Sequence, residues 1–318
     1  MGGAVAVLGA GNSGLAMAGH LTASGCSVRL WNRGEDDTLC SIERNGGIEL
    51  SGVVSGTHRP DVLTHDMGEA VRDVKLILVA LPASRHRGVV SLLAPHLVDG
   101  QVVVLNPGRT GGAVAALRLL RLSKCDADAI VAETQTIAYT CRKTSPASCR
   151  ILSFKRQVEL AAPTASDTEA VFAALPDCLR DCFCPGNLVR TSFGNVGMVL
   201  HCAPMLLNVG WIETEHTPFK YYYEAITPSV AGFLEKIDEE RLAVARALGE
   251  TLPDVADWMR HSYGVSGNDI FECIQNNRAY AEIDAPETLR HRYLFEDVPN
   301  GLVPLEAIGL RLQMPMHR

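Results

Sequence analysis

The chain opens on a short apolar run, Ala4-Val5-Ala6-Val7-Leu8, which passes into glycines and then into Leu15, Met17, Ala18 and Leu21 at helical spacing. Ser24-Gly25 stops the helix pattern. A strand, a tight turn and a helix are predicted. The alternation then repeats. Residues 27–31 predict a second strand. Residues 36–65 predict a helix and short extended pieces around Ile48-Glu49-Leu50 and Val62-Leu63. A short helix over 67–72 starts at Asp66, whose carboxylate suits an N-cap. Residues 74–81 form a continuous apolar strand, the pattern of a strand buried on both faces of a parallel sheet. Helices over 87–97 and 111–122 then alternate with strands over 101–105 and 129–134. The result is a doubly wound α/β Rossmann domain.

From residue 149 the pattern changes. Residues 150–154 and 157–160 predict a pair of strands. Residues 166–175 predict a helix with Asp167 and Glu169 in its first turn, where negative charge is favourable. Residues 178–184 read as extended. Pro185-Gly186-Asn187 is a turn cluster that divides the chain into domains 1–186 and 187–318. Beyond it the periodicity is almost entirely helical, over 193–207 with Pro204 stepping the helix, 227–248, 253–263, 269–276 and 303–312. An all-α domain after a dinucleotide fold implies a substrate cleft between the two.

Composition narrows the class. The 318 residues are 47% hydrophobic and 20% charged, with a formal net charge of −7. That balance gives no basic footprint for nucleic acid, and no apolar run is long enough to span a bilayer. The N-terminus opens straight into a strand without a charged leader, so no signal peptide is expected. The ten cysteines are scattered. Cys178, Cys182 and Cys184 lack the paired spacing and nearby histidine of a zinc site, and reduced thiols in a cytoplasmic protein are expected.

Chemistry enters at the first turn. Gly9-Ala10-Gly11-Asn12-Ser13-Gly14 has the flanking strand and helix that a dinucleotide site requires. Gly9 permits the tight turn, Gly11 lets backbone approach a pyrophosphate, and Gly14 lets the helix pack on the strand. At the end of the second strand, Asn32-Arg33 stand where an NAD site usually carries an acid. A guanidinium there suits a 2′-phosphate, so NADP is favoured over NAD. Glu35, Asp36 and Asp37 just behind it oppose a strong phosphate site.

A nicotinamide site also needs a group that handles protons, and histidine is the usual choice. Of ten histidines, His58, His65, His86, His96, His261, His291 and His317 sit in polar surroundings and read as surface or loop residues. His201 lies instead in the apolar stretch Val196-Gly197-Met198-Val199-Leu200-His201. A core histidine bonded to a backbone carbonyl explains it as well as a catalytic one does. Asp297, in Tyr293-Leu294-Phe295-Glu296-Asp297-Val298-Pro299, is either a helix-start residue or a placed functional group.

Several stretches together are decisive. Ala6-Val7-Leu8-Gly9-Ala10-Gly11-Asn12, Leu105-Asn106-Pro107-Gly108, Thr110-Gly111-Gly112-Ala113 and Thr140-Cys141-Arg142 are joined by Met205-Leu206-Leu207-Asn208, Thr217-Pro218-Phe219, Ile226-Thr227-Pro228-Ser229-Val230 with Gly232, Phe295-Glu296-Asp297-Val298 and Gly301-Leu302-Val303-Pro304-Leu305. Over nearly its whole length the chain resembles the opine dehydrogenase family, nearest to its bacterial N-(1-carboxyethyl)-norvaline branch. The resemblance implies a 6-phosphogluconate-dehydrogenase-like helical domain and a homodimer. It also implies reductive condensation of an amino acid with a 2-oxo acid such as pyruvate. The family's catalytic histidine and aspartate fall on His201 and Asp297. The histidine would donate the proton that expels water from a carbinolamine, with the aspartate fixing its tautomer.

This chain departs from the family at three points. Gly197 stands where an asparagine is common, with Asn195 nearby, and Cys202 follows the histidine in place of proline. The chain also stops soon after Gln313-Met314-Pro315-Met316, where relatives continue with further helices, so a shortened second domain is expected. Two alternatives stay open. One is another two-domain Rossmann reductase, of the glycerol-3-phosphate or ketopantoate kind. The other is a catalytically impaired NAD(P)-binding protein.

Overall fold

The computed structural model describes residues 3–34, 37–214 and 218–317. It divides into two compact units, Met1–Ser192 and Phe193–Arg318. The first contains twelve strands. In chain order they are β1 (Val5–Leu8), β2 (Val28–Trp31), β3 (Ile48–Gly52), β4 (Gly56–His58), β5 (Val62–Thr64), β6 (Leu76–Val79), β7 (Val102–Leu105), β8 (Ile130–Thr134), β9 (Tyr139–Ser145), β10 (Ser148–Phe154), β11 (Val158–Ala161) and β12 (Phe183–Pro185).

Eight of them form one sheet in the order β12-β11-β8-β7-β6-β1-β2-β5. From β5 to β8 all pairings are parallel. Every residue of β1, β6 and β7 is buried. Val5 and Val7 face one core cluster while Ala6 and Leu8 face another, so both faces of the sheet are covered. That is why these strands read as unbroken apolar runs rather than as alternations. The remaining strands form a small second sheet, β4-β3-β10-β9.

The expected pairing of 150–154 with 157–160 does not occur. β10 pairs antiparallel with β9 and parallel with β3, whereas β11 joins the main sheet antiparallel to β8. Gln157, with φ of 57°, turns the chain from one sheet to the other. The expected extended run over 178–184 is also only partly realised. A helical turn occupies Asp177–Arg180, and only Phe183–Pro185 is a strand. Pro176 caps that turn, and Arg180 pairs with Asp177 at 3.0 Å along it.

The described residues of the second unit include helices over Gly197–Leu207, Pro228–Ala247, Val255–Tyr263, Ile270–Gln275 and Val303–Arg311, and one isolated antiparallel bridge between Lys220 and Asp284. Thr227, Asp254 and Asp269 cap three of these starts through their side chains. The helix expected over 193–207 is interrupted. Leu188–Phe193 is one short helix, and the next begins only at Gly197. The break has a cause within the helical unit. The carbonyl of Phe193 accepts from Arg241 Nη1 at 2.6 Å, so it is engaged by a side chain.

Arg241 is 1% exposed. Its other donors reach Asp238 Oδ1 at 2.6 Å and the Pro253 carbonyl at 2.8 Å, and Asp238 Oδ2 accepts the Val255 N–H at 2.8 Å. Among the described residues no helix is long and apolar enough to cross a membrane. Because Arg241 holds three segments and leaves a buried carboxylate behind when removed, Arg241→Met should cost about 3–5 kcal/mol of stability. Denaturant unfolding followed by far-UV circular dichroism would measure it.

Candidate active site

The glycine turn sits at the carboxyl end of β1, the edge of a parallel sheet where ligands bind. Gly9 has φ of +111°, and a Cβ there would meet the Leu81 side chain and the Ala80 carbonyl. A Cβ on Gly14 would run into the Gly9 carbonyl, so the helix Asn12–Ala23 starts directly against the turn. Gly11 differs, since nothing lies within 4 Å of the position its Cβ would take. No side chain caps this helix and no acid occupies its first turn. Its positive end is therefore available to an anion beside an open space, which fits the pyrophosphate of a nicotinamide dinucleotide.

Around the turn, Ala10 is buried, Asn12 exposed and Ser13 half-buried. Asn12 is gripped from the small sheet: its Oδ1 accepts the Lys143 N–H at 2.8 Å, and its carbonyl accepts from Cys141 Sγ at 3.4 Å. Lys143 Nζ donates to the Ala10 carbonyl at 3.3 Å and to Thr38 Oγ1 at 2.9 Å. Arg33 is exposed just past the end of β2. Glu35, Asp36 and Thr217 lie outside the described residues.

Sequence reasoning missed Lys143. Its strand belongs to a separate sheet, and only the adjoining Thr140-Cys141-Arg142 match pointed toward it. Near the carboxyl end of β8, Glu133 is fully buried and accepts from Ala113 N–H at 2.7 Å, Thr191 Oγ1 at 2.7 Å and Ser192 Oγ at 2.9 Å. Burial pushes its carboxyl up, and those donors oppose the shift.

In the helical unit, His201 and Asp297 meet. His201 projects from the helix Gly197–Leu207, and Asp297 precedes a single turn of π-helix, Val298–Leu302. Gly301 makes the approach possible, because a Cβ there would lie 2.6 Å from Met198 Cβ. His201 Nδ1 and Asp297 Oδ2 are 2.8 Å apart, and the carboxylate assigns the proton to Nδ1. On the neutral ring Nε2 then accepts from the Tyr222 hydroxyl at 3.1 Å. Tyr293 stacks on the imidazole at a centroid distance of 4.1 Å. The Asp297 side chain is 2% exposed and that of His201 15%.

Nearby groups complete the arrangement. Burial holds the Tyr222 hydroxyl well above the usual phenol range, so it remains a neutral donor. Cys202 Sγ donates to the Tyr293 carbonyl at 3.2 Å, and burial, helped by the Asp297 charge, pushes this thiol up to about 12. Gly197 leaves room for the His201 ring: a Cβ there would lie 3.2 Å from His201 Cε1 and 3.3 Å from Asn195 Oδ1. Asn195 thus borders the space beside the imidazole that a side chain at 197 would fill. Tyr222 and Tyr293 carried no signal in the sequence beyond their aromatic neighbours.

Of the histidines expected at the surface, His86 is buried, and His58 and His291 are half-buried. His86 is 8% exposed, with Nε2 3.2 Å from the Leu81 carbonyl. His291 is half-buried, edge-on to Tyr293 at 4.4 Å. Burial, Arg292 and His201 together lower its pKa.

Comparison with known proteins adds a second line. Residues 184–318 match the family model of the NAD/NADP octopine/nopaline dehydrogenase α-helical domain. Residues 4–110 match that of the NAD-dependent glycerol-3-phosphate dehydrogenase N-terminus. An opine dehydrogenase of Arthrobacter sp. (strain 1C) is 38% identical over 311 residues, covering 98% of this chain and 86% of that protein. A solved octopine dehydrogenase with NADH and L-arginine superposes with a TM-score of 0.80 at 19% identity, over 98% of this chain and 86% of that one. A yersinopine dehydrogenase with NADP+ bound superposes with a TM-score of 0.76 at 16% identity, over 98% and 87%.

The glycines separate two effects. Gly14→Ala should lower the thermal midpoint, because the Gly9 carbonyl cannot move away. Gly11→Ala, at φ of −81° with open space around it, should shift the midpoint by less than about 2 °C. It should nevertheless weaken NADPH or NADH binding by at least about tenfold. Thermal unfolding and fluorescence titration of the reduced cofactor would check both.

Proposed function

We propose that this chain, which belongs to the opine dehydrogenase family, condenses an amino acid with a 2-oxo acid and reduces the resulting imine, with His201 as proton donor. The reaction makes it an NAD(P)-dependent oxidoreductase acting on a CH–NH bond. The observation that carries the assignment is the buried Asp297 carboxylate on His201 Nδ1, with Tyr222 on the opposite ring nitrogen.

The amine adds to the carbonyl carbon of the oxo acid, giving a carbinolamine. Its hydroxyl departs as water once it is protonated. His201 as imidazolium can deliver that proton from Nε2 while Asp297 holds Nδ1–H and offsets the positive charge on the ring. A bound nicotinamide cofactor supplies the hydride that reduces the imine carbon. Tyr222 orients Nε2 through its hydroxyl, and the stacked Tyr293 fixes the plane of the ring. Cys202, with its thiol raised by burial, stays protonated and takes no nucleophilic part.

On this reading the enzyme works in the cytoplasm with all ten cysteines as free thiols. It assembles as a homodimer, for which the exposed Leu206, Leu207, Phe295 and Leu310 of the helical unit offer apolar surface.

The direct test is oxidation of NADPH and NADH with pyruvate, with and without a mixture of L-amino acids. Turnover that requires both substrates is expected. Turnover with the oxo acid alone would make the protein a 2-oxo-acid reductase and end the proposal. His201→Ala should lower turnover by about 10²–10⁴-fold while cofactor binding persists. Tyr222→Phe, which keeps the ring but removes the hydroxyl from Nε2, should cause a smaller loss. Steady-state rates and cofactor titrations on both variants would decide.

A further inference from the structure

The geometry points to Lys143 as a further cofactor-binding residue, one whose ammonium selects the 2′-phosphate of NADPH over the 2′-hydroxyl of NADH. The inference deepens the assignment of the glycine turn to a nicotinamide dinucleotide and rests on it.

Lys143 lies outside the dinucleotide motif, on β9 of the small sheet, yet it is bonded to that motif at two levels. Its backbone N–H donates to Asn12 Oδ1 at 2.8 Å, and its Nζ donates to the Ala10 carbonyl at 3.3 Å and to Thr38 Oγ1 at 2.9 Å. Ala10 is the middle residue of Gly9-Ala10-Gly11. Thr38 begins the helix Thr38–Arg44, the first helix after β2. The ammonium is therefore pinned between the glycine turn and the segment that follows the second strand. In a dinucleotide fold this is where the adenosine ribose lies, and where an acid reads the 2′-hydroxyl or a cation reads a 2′-phosphate.

The charge at this place is unspent. An ammonium has three N–H donors, and two of them go to neutral oxygens here. No carboxylate among the described residues pairs with Lys143. Asp37, the described acid nearest along the chain to Thr38, bonds Arg44 and Ser41 instead. The third donor and the full positive charge stay available to an anion. Lys143 is also half-buried, whereas Arg33 is exposed. A partly buried charge is screened less by salt than one in full contact with water. Lys143 is thus the more enclosed of the two cations.

Calorimetric titration with 2′,5′-ADP and with ADP, on the wild type, Lys143→Gln, Lys143→Arg and Arg33→Gln, tests the assignment without turnover. Lys143→Gln should weaken 2′,5′-ADP by about ten- to a hundredfold, the size of one charge-assisted hydrogen bond. The loss for ADP should be at least tenfold smaller. Lys143→Arg should restore most of the affinity. The KM for NADPH should rise more than that for NADH, and affinity for 2′,5′-ADP should fall more steeply with salt in the wild type than in Lys143→Gln.

Equal losses for the two nucleotides would overturn the inference, since Lys143 would then merely brace the turn. So would an unchanged Kd for 2′,5′-ADP, or a loss confined to Arg33→Gln. In those cases the nucleotide site itself would stand. Failure of the wild type to bind either nucleotide would instead remove the site, and the inference with it.

Discussion

A carboxylate taken out of water has to be met by donors, and the fold is arranged around three that are. Glu133, Asp238 and Asp297 are each no more than 2% exposed. An unpaired charge in such a place costs several kcal/mol, more than a domain can leave uncompensated. Each carboxylate therefore fixes the position of whatever answers it. Glu133 draws the start of the helix Gly112–Leu122 and the hydroxyls of Thr191 and Ser192 onto the end of β8. Asp238 takes Arg241 and the first N–H of the helix Val255–Tyr263. Asp297 takes His201.

The three differ in what answers them, and that difference separates structure from chemistry. Backbone N–H groups, hydroxyls and a guanidinium do not change charge at neutral pH. The donors to Glu133 and Asp238 are therefore of fixed charge. An imidazole does change charge there. Of the three, only Asp297 is met by a side chain that can itself change charge near neutral pH. The same aspartate that holds a helix and a π-turn together thus also stabilises a proton on the ring it holds.

How much of this the sequence could reveal depends on the range of the interaction. β1, its glycine turn and the following helix are local, as are the side-chain caps at Asp66, Thr227, Asp254 and Asp269. Apolar runs and cap residues encode such features directly. The pairing of β10 with β3 joins segments about a hundred residues apart in the chain, and no local period encodes it. The break before Gly197 was hidden for the same reason, because Arg241 takes the Phe193 carbonyl from a distant helix. His201 and Asp297 could be nominated singly, the first by its apolar surroundings and both by resemblance. Tyr222 on Nε2 could not, since nothing in Tyr221-Tyr222-Tyr223 says which ring turns inward.

The other buried histidines show why burial alone would have been a poor guide. His20 meets the Tyr139 hydroxyl at 3.2 Å, and burial lowers its pKa. His86 meets a carbonyl oxygen and is equally enclosed. A phenol satisfies a ring nitrogen without adding charge, so burial at His20 favours the neutral ring. At His201 the partner on Nδ1 is a carboxylate that has itself lost its water. That bond is charge-assisted from the carboxylate side, unlike the phenol contact at His20.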